Sequence, residues 1–270
     1  MNEAKEIEDR IIQLTKYLAK RGDPPDHFKY AISYSITLKD SRNEELSKLI
    51  YRHIDQRELK DKKVLEVGCG MGGFLAYLQE NGIEAYGLDV DAELVRIAFT
   101  KENIIVGDIQ KPPLTDKTFD AVIAIDVIEH IQNQKSAIQN MLATTKAGGK
   151  IILLTNNRLF PFDTDVKLFF INYLPKSLAT KYLRFRRNNP TLEYENKNPT
   201  YFTFAKLCEG ENNTKVNVYG IFTIFGYYVE KLKRFKKIAS LIETISHRHK
   251  LFKWIQFFAP KLCLVIEKVE

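Results

Sequence analysis

The chain has 270 residues, enough for one large domain or for one domain carrying an inserted cap. A hydrophobic fraction of 44% is ordinary for a globular protein and argues against wholesale disorder. The formal net charge of +7 is uneven: residues 1–155 hold 21 Lys and Arg against 24 Asp and Glu, a net of −3, whereas residues 156–270 hold 20 against 10, a net of +10. That asymmetry suits either a surface for an anionic partner or a solvated basic face. Cys69, Cys208 and Cys263 are widely spaced with no CxxC pair, which argues against a disulfide framework or a zinc site and fits a reducing compartment. Met1–Arg10 is charged and reads as no secretory signal. The longest nearly apolar run, Val216–Val229, spans about fourteen residues, short of the roughly twenty a membrane helix needs. The expectation is a soluble, cytoplasmic protein, with peripheral contact at a membrane left open.

In chain order, Ile7, Ile11, Leu14 and Leu18 recur at helical spacing, and Asp23-Pro24-Pro25 ends that helix. Leu46, Leu49, Ile50 and Ile54 mark a second helix over 43–58. The rhythm then changes. Lys63–Val67 is a strand ending in a glycine-rich turn, and Phe74–Glu80 is a helix stopped by Asn81-Gly82. Glu84–Leu88 is a second strand, followed by a helix capped by Asp91 and running to about Thr100. Asn103–Val106 is a third strand; Phe119–Ile125, apolar on both faces, is a buried fourth. A helix over 134–145 is broken by Ala147-Gly148-Gly149, and Lys150–Leu154 is a fifth strand. Alternation of this kind predicts βαβ units in a parallel, doubly wound sheet with the ligand at the C-terminal strand ends. After Thr155 the alternation stops. Residues 157–200, rich in aromatic and basic side chains, read as an inserted cap. A short helix over 204–209, a sixth strand over 215–219, amphipathic helix over 229–258 and a last strand, Lys261–Lys268, complete the chain. The expected division is an N-terminal helical segment (1–58), a ligand-binding core (59–157), a lid (158–203) and a C-terminal part that completes the sheet (204–270).

The first strand runs into Glu66-Val67-Gly68-Cys69-Gly70-Met71-Gly72-Gly73. Glycines allow positive φ and a close approach of backbone to ligand, and the next helix offers free N–H groups. Gly68-x-Gly70-x-x-Gly73 alone is a weak dinucleotide signal that fits an NAD-dependent oxidoreductase equally well. Asp89, nineteen residues after Gly70, places a carboxylate at the end of the second strand, where ribose hydroxyls are bound. Three features separate the readings. Glu66, inside the first strand, suits a cationic ligand and repels a pyrophosphate. Gly107-Asp108 follows the third strand, within reach of an adenine amino group. Asp126-Val127-Ile128-Glu129-His130 follows the fourth strand, over the expected cleft.

At these residues the chain resembles the class I S-adenosylmethionine (SAM)-dependent methyltransferases, in particular the branch that includes the ubiquinone-biosynthesis O-methyltransferases. VLEVGCGMGGF (64–74) is similar to the family's glycine-rich motif, YGLDVD (86–91) to its ribose motif and VGDIQKPPL (106–114) to its adenine motif. FDAVIAIDVIEHI (119–131) is similar to the motif over the reacting end, and KAGGKIILLTNN (146–157) to the turn and fifth strand, with Ala147 where proline is usual. The resemblance covers about residues 60–157 and implies a Rossmann-like, seven-stranded, mostly parallel α/β sheet with an antiparallel last strand. It implies that Gly68, Cys69, Gly70 and Gly72 line the methionine part of SAM, with Glu66 ordering the loop or facing the amino group. Asp89 and Val90 would meet the ribose, Asp108 and Ile109 the adenine, and Asp126 the sulfonium end. His130 is the candidate base, because histidine changes charge near neutral pH. Relatives with Glu-x-x-Glu-His here are thought to hold a divalent metal. Asp126 shortens one arm of that set, so no metal is expected.

The resemblance thus implies methyl transfer from SAM, with a hydroxyl of a small, lipid-linked or sugar-linked molecule as the acceptor favoured. An RNA methyltransferase using the basic C-terminal half is an alternative, disfavoured by the absence of an Asn/Asp-Pro-Pro-Tyr motif after the fourth strand. A regulatory SAM- or nucleotide-binding protein without catalysis is another. In the lid, Arg158, Lys167, Lys176, Lys181, Arg184, Arg186 and Arg187 interleave with Phe160, Phe162, Phe169, Phe170, Tyr173, Tyr182 and Phe185. That mixture fits membrane-surface contact, a nucleic-acid face, or a plain cap with rings packed inward and bases outward.

Overall fold

The computed structural model describes residues 3–21, 41–54, 59–100, 102–222, 236–248 and 250–269. The predicted stop at Asp23-Pro24-Pro25 and the first part, 229–235, of the predicted helix over 229–258 lie outside them.

Helix α1 (Glu3–Arg21) and α2 (Ser41–Tyr51) precede the sheet. The core then runs β1 (Lys63–Val67), α3 (Gly73–Glu80), β2 (Glu84–Asp89), α4 (Ala92–Arg96), β3 (Ile104–Val106), β4 (Phe119–Ile125), α5 (Gln134–Thr144) and β5 (Thr145–Asn156). A two-stranded hairpin, β6 (Phe162–Asp163) and β7 (Leu168–Phe169), leads to α6 (Lys176–Arg187). The chain closes with α7 (Tyr201–Lys206), β8 (Thr214–Ile221), α8 (Lys236–Arg248), a 3-10 segment (Lys250–Phe258) and β9 (Lys261–Lys268). The main sheet has seven strands in the order β3-β2-β1-β4-β5-β9-β8. The first five pair in parallel, and β9 runs antiparallel to both of its neighbours. The order reverses between β1 and β4, so the crevice for a ligand opens at their C-terminal ends.

The alternation of side chains along each strand divides the core in two. On one face Leu65, Val67, Val122, Ala124 and Leu153 pack against Ile138, Met141 and Leu142 of α5 and Phe204 of α7. On the other, Val64, Ile123, Ile152 and Leu154 meet Leu46, Leu49 and Ile50 of α2 and Phe74, Leu75 and Leu78 of α3. Each fully buried aliphatic side chain contributes about 1.5–3 kcal/mol from removal of apolar surface. Two elements differ from expectation for local reasons. The fifth strand begins at Thr145, because Gly148 (φ +73) carries the chain through a register shift opposite Phe119–Ala121 rather than ending a helix in a loop. The helix capped by Asp91 ends at Arg96, after only five residues.

Helix α1 lies on α4: Leu14, Tyr17 and Leu18 pack on Ile97, with Met71 of the glycine turn alongside. The Tyr17 hydroxyl donates to Asp91 Oδ2. Residues 162–194 form a satellite core of their own around Leu168, Ile171, Ala179, Leu183 and Tyr194.

Candidate active site

The turn after β1 takes the conformation its glycines permit: φ is +72° at Gly68, +54° at Gly70 and +70° at Gly72. The backbone N–H of Gly68 donates to Leu88 O at 2.7 Å, fastening the turn to the end of β2. Asp89 fastens it again, since Gly70 N–H donates to Oδ2 at 2.7 Å and Asp91 N–H to Oδ1 at 2.8 Å. A Cβ built on Gly70 meets nothing within 4 Å, so the turn borders open space there. On Gly68 it would strike Val127 Cγ2 at 2.2 Å, because the loop after β4 presses directly on the glycine turn. Helix α3 starts with Gly72 as its N-cap and no side-chain cap, leaving its first N–H groups available to an anionic group. Glu66 is buried at the root of the turn, 6% exposed. Burial, then the nearby carboxylates of Glu66 and Asp89, push the Cys69 thiol far up, so its sulfur packs as a thiol rather than acting as a nucleophile.

Val90 is 72% exposed beyond β2. Beyond β3, Asp108 accepts from Gln110 N–H at 2.8 Å and from the Gln110 amide at 3.1 Å, which turns the chain back over the cleft. Ile109 belongs by its side chain to the core, and its carbonyl takes the Asn140 amide at 2.9 Å, so it can offer a ligand only backbone.

The loop after β4 carries the charged groups. Asp126 sits at φ +56°, a left-handed conformation that aspartate tolerates better than most residues, with its N–H bonded to Leu154 O at 2.8 Å. Its carboxylate takes the ammonium of Lys261, a lysine with no solvent-exposed surface at the start of β9. Glu129 is fully buried, and neither carboxyl oxygen has a hydrogen-bond partner among the described residues. Burial raises it well above the ordinary carboxylate range; Asp126 and Asp165 raise it further, against the opposing pull of Lys261. Asp165, from the β6–β7 turn, is pushed up to about 6 by burial, although Lys261 pulls it down. His130 is exposed, and one ligand atom each of Glu129, His130 and Asp165 lie within 4.8 Å of one another. Those three residues can hold either a shared proton or a divalent cation. Asp126, the third member of the set considered from sequence, is instead turned to Lys261.

Sequence reasoning missed Asp165 and Lys261. Asp165 lay in a segment without periodicity, and Lys261 read as the polar start of a strand. The available signal was Asp163-Thr164-Asp165, an acidic island in a basic segment.

The open space over Gly70, the uncapped N–H groups of α3 and the carboxylate of Asp89 fit a nucleoside carrying an amino-acid tail. With the sheet order, they define the class I SAM-dependent methyltransferase fold, whose cofactor is SAM. Residues 38–210 match the family described as Methyltransferase domain, and the chain belongs to that family. Over 112 residues it is 32% identical to ajmaline N-methyltransferase of Rauvolfia serpentina, covering 38% of each chain. Over 182 residues it is 27% identical to a chloroplastic tocopherol O-methyltransferase of Arabidopsis thaliana, covering 60% of this chain and 52% of the relative. It thus spans well under two thirds of the length of either relative. Among solved structures, the Haemonchus contortus phosphoethanolamine N-methyltransferase 2 complex with phosphomonomethylethanolamine and S-adenosylhomocysteine aligns with a TM-score of 0.60 at 14% identity. That alignment covers 91% of this chain and 58% of the other and concerns the fold.

Proposed function

We propose that the chain transfers the methyl group of SAM to a hydroxyl of a small, lipid-linked or sugar-linked acceptor. Bound SAM supplies a methyl already activated on a sulfonium, so what remains is alignment, exclusion of water and removal of one proton. In this reading the glycine turn and α3 hold the amino-acid end, Asp89 and Val90 the ribose, and the Asp108–Ile109 backbone the adenine. Asp126, fixed by Lys261, borders the methyl. His130 takes the proton of the acceptor hydroxyl, and the Asp165 carboxylate stabilises the imidazolium that forms. The observation that carries the O-methyl reading is this His130–Asp165 juxtaposition beside the loop after β4. A hydroxyl is a poor nucleophile that needs such a base.

The small-molecule reading is preferred to RNA because two of the lid's bases are spent inside it. Arg184 Nε donates to Leu192 O at 2.8 Å and Arg187 to Val166 O at 2.6 Å. Membrane-surface contact has an observation in its favour: Phe169, Phe170 and Tyr173 are each about half exposed and form a contiguous ring cluster with Phe162. No described helix is long and apolar enough to cross a membrane.

The test is methyl transfer to a panel of hydroxyl and amine acceptors, with His130→Ala beside the wild type. A loss of about 10²–10⁴-fold in kcat with SAM affinity kept is expected. Unchanged turnover of a true acceptor removes the base role, and turnover of amines alone replaces the hydroxyl reading.

A further inference from the structure

A cavity of about 310 Å³ opens between residues 158–198 and the loop after β4. Its lining includes Arg158, Lys176 and Lys197 against one carboxylate, that of Glu195. Arg158 Nε donates to Asn172 O at 3.3 Å and Lys197 Nζ to Gln132 O at 3.2 Å and Gln132 Oε1 at 2.5 Å, neutral partners that leave the positive charges uncompensated: none of the three cations forms an ion pair with a carboxylate among the described residues. Lys176 is also the first residue of α6, whose N-cap, Pro175, supplies no side-chain cap. Positive charge from side chains and from a helix start therefore lines the same cavity.

Two buried amides in the lining are incompletely satisfied. Asn172 Oδ1 accepts from the Tyr194 hydroxyl at 2.6 Å and from Asn198 Nδ2 at 2.9 Å, which orients the Asn172 amide and leaves its Nδ2 without a partner. Asn198 Nδ2 also donates to Asp163 Oδ2 at 3.0 Å, leaving Asn198 Oδ1 without one. These side chains are only 5% and 6% exposed. A protein rarely leaves a buried donor and acceptor unmet beside a cavity.

The cavity adjoins the loop after β4. Lys197 N–H donates to Glu129 O at 2.8 Å, and the Gln134 amide bridges Ile128 O and Lys197 O at 2.9 and 3.0 Å.

We propose that this cavity binds a phosphate-bearing, hydroxyl-rich part of the methyl acceptor, the phosphate against Arg158, Lys176 and Lys197 and the hydroxyls against Asn172 and Asn198. The inference rests on the methyltransferase reading and names the acceptor class for that site. Three cations lining one cavity match a multiply charged tetrahedral anion, where a lone carboxylate needs one. The amides ask for both a hydrogen-bond acceptor and a donor, which a hydroxyl supplies at once.

The test is saturation-transfer NMR with titration of glucose 1-phosphate, glucose and methyl phosphate into the full chain, with S-adenosylhomocysteine affinity measured in parallel. Glucose 1-phosphate is expected to bind at least tenfold more tightly than glucose, with methyl phosphate competing. Arg158→Ala and Lys176→Ala should each weaken it about tenfold. Lys181→Ala, exposed on α6 outside the cavity, should not. Equal binding of glucose and glucose 1-phosphate, binding of neither phosphate, or an equal effect of Lys181→Ala overturns the proposal. S-adenosylhomocysteine binding separates the two readings: its absence in the wild type strikes the methyltransferase assignment, whereas its retention with no phosphate binding strikes only the acceptor class.

Discussion

Lys261 and Asp126 form an ion pair at the head of the loop after β4, with the lysine wholly buried. Removing one member of such a pair leaves an uncompensated charge, which is costlier than removing both. Lys261→Met should therefore cost about 3 kcal/mol in urea unfolding, and adding Asp126→Asn should restore more than half of it. Strict additivity of the two changes would show that the pair does not stabilise the loop. Asp89 has a different double duty, because the carboxylate assigned to the ribose also ties down Gly70. Asp89→Ala should weaken SAM binding by about 1.5–3 kcal/mol through loss of a charge-assisted hydrogen bond. Calorimetry that finds unchanged affinity would refute the ribose assignment.

The β6–β7 hairpin matters as an element because it delivers Asp165 to Glu129 and His130. Burial pushes Asp165 to about 6, above its value in an unfolded chain, so the folded state holds the proton more tightly. The favourable contribution of that proton is complete below about pH 4 and is lost as pH rises through about 6. Asp165→Asn should accordingly stabilise the protein by about 2 kcal/mol at pH 7.5, with a smaller gain at pH 4.5. Thermal melts at the two pH values check this, and a gain that is larger at pH 4.5 would contradict the shift. The hairpin itself was not legible in the sequence. Its two-residue strands are too short to show period-2 alternation, and Phe162, Phe169 and Phe170 look like core residues although the last two are exposed. By contrast, β1 and β9 read correctly to the residue, because each is a short, mostly apolar run that starts at a lysine and has a clear stop, the glycine turn after Val67 for β1 and Glu267-Lys268 for β9.

Across the whole molecule, the sheet and the satellite core of residues 162–194 are separate hydrophobic clusters. Asp163 holds the smaller one together. It is fully buried and accepts from Asp165 N–H at 3.0 Å, Val166 N–H at 3.1 Å and Asn198 Nδ2 at 3.0 Å. Asp163→Ala leaves those donors unmet, each at about 1–3 kcal/mol. Hydrogen exchange should then lose protection over residues 162–198 while β1, β4 and S-adenosylhomocysteine affinity stay unchanged. Uniform loss over both clusters would mean that they unfold as one unit.

The sequence by itself determined the doubly wound sheet and the glycine turn with Asp89, whereas the antiparallel direction of the last strand followed from the family resemblance. Periodicity, glycine spacing and strand-end carboxylates are local properties, written within a few residues of one another. The tertiary structure alone decided that Asp165 rather than Asp126 joins Glu129 and His130, that Lys261 neutralises Asp126, and that Arg158, Lys176 and Lys197 line one cavity. These groups are distant along the chain and meet only through crossovers and packing. Their chemistry comes from burial and proximity, which a linear pattern does not encode.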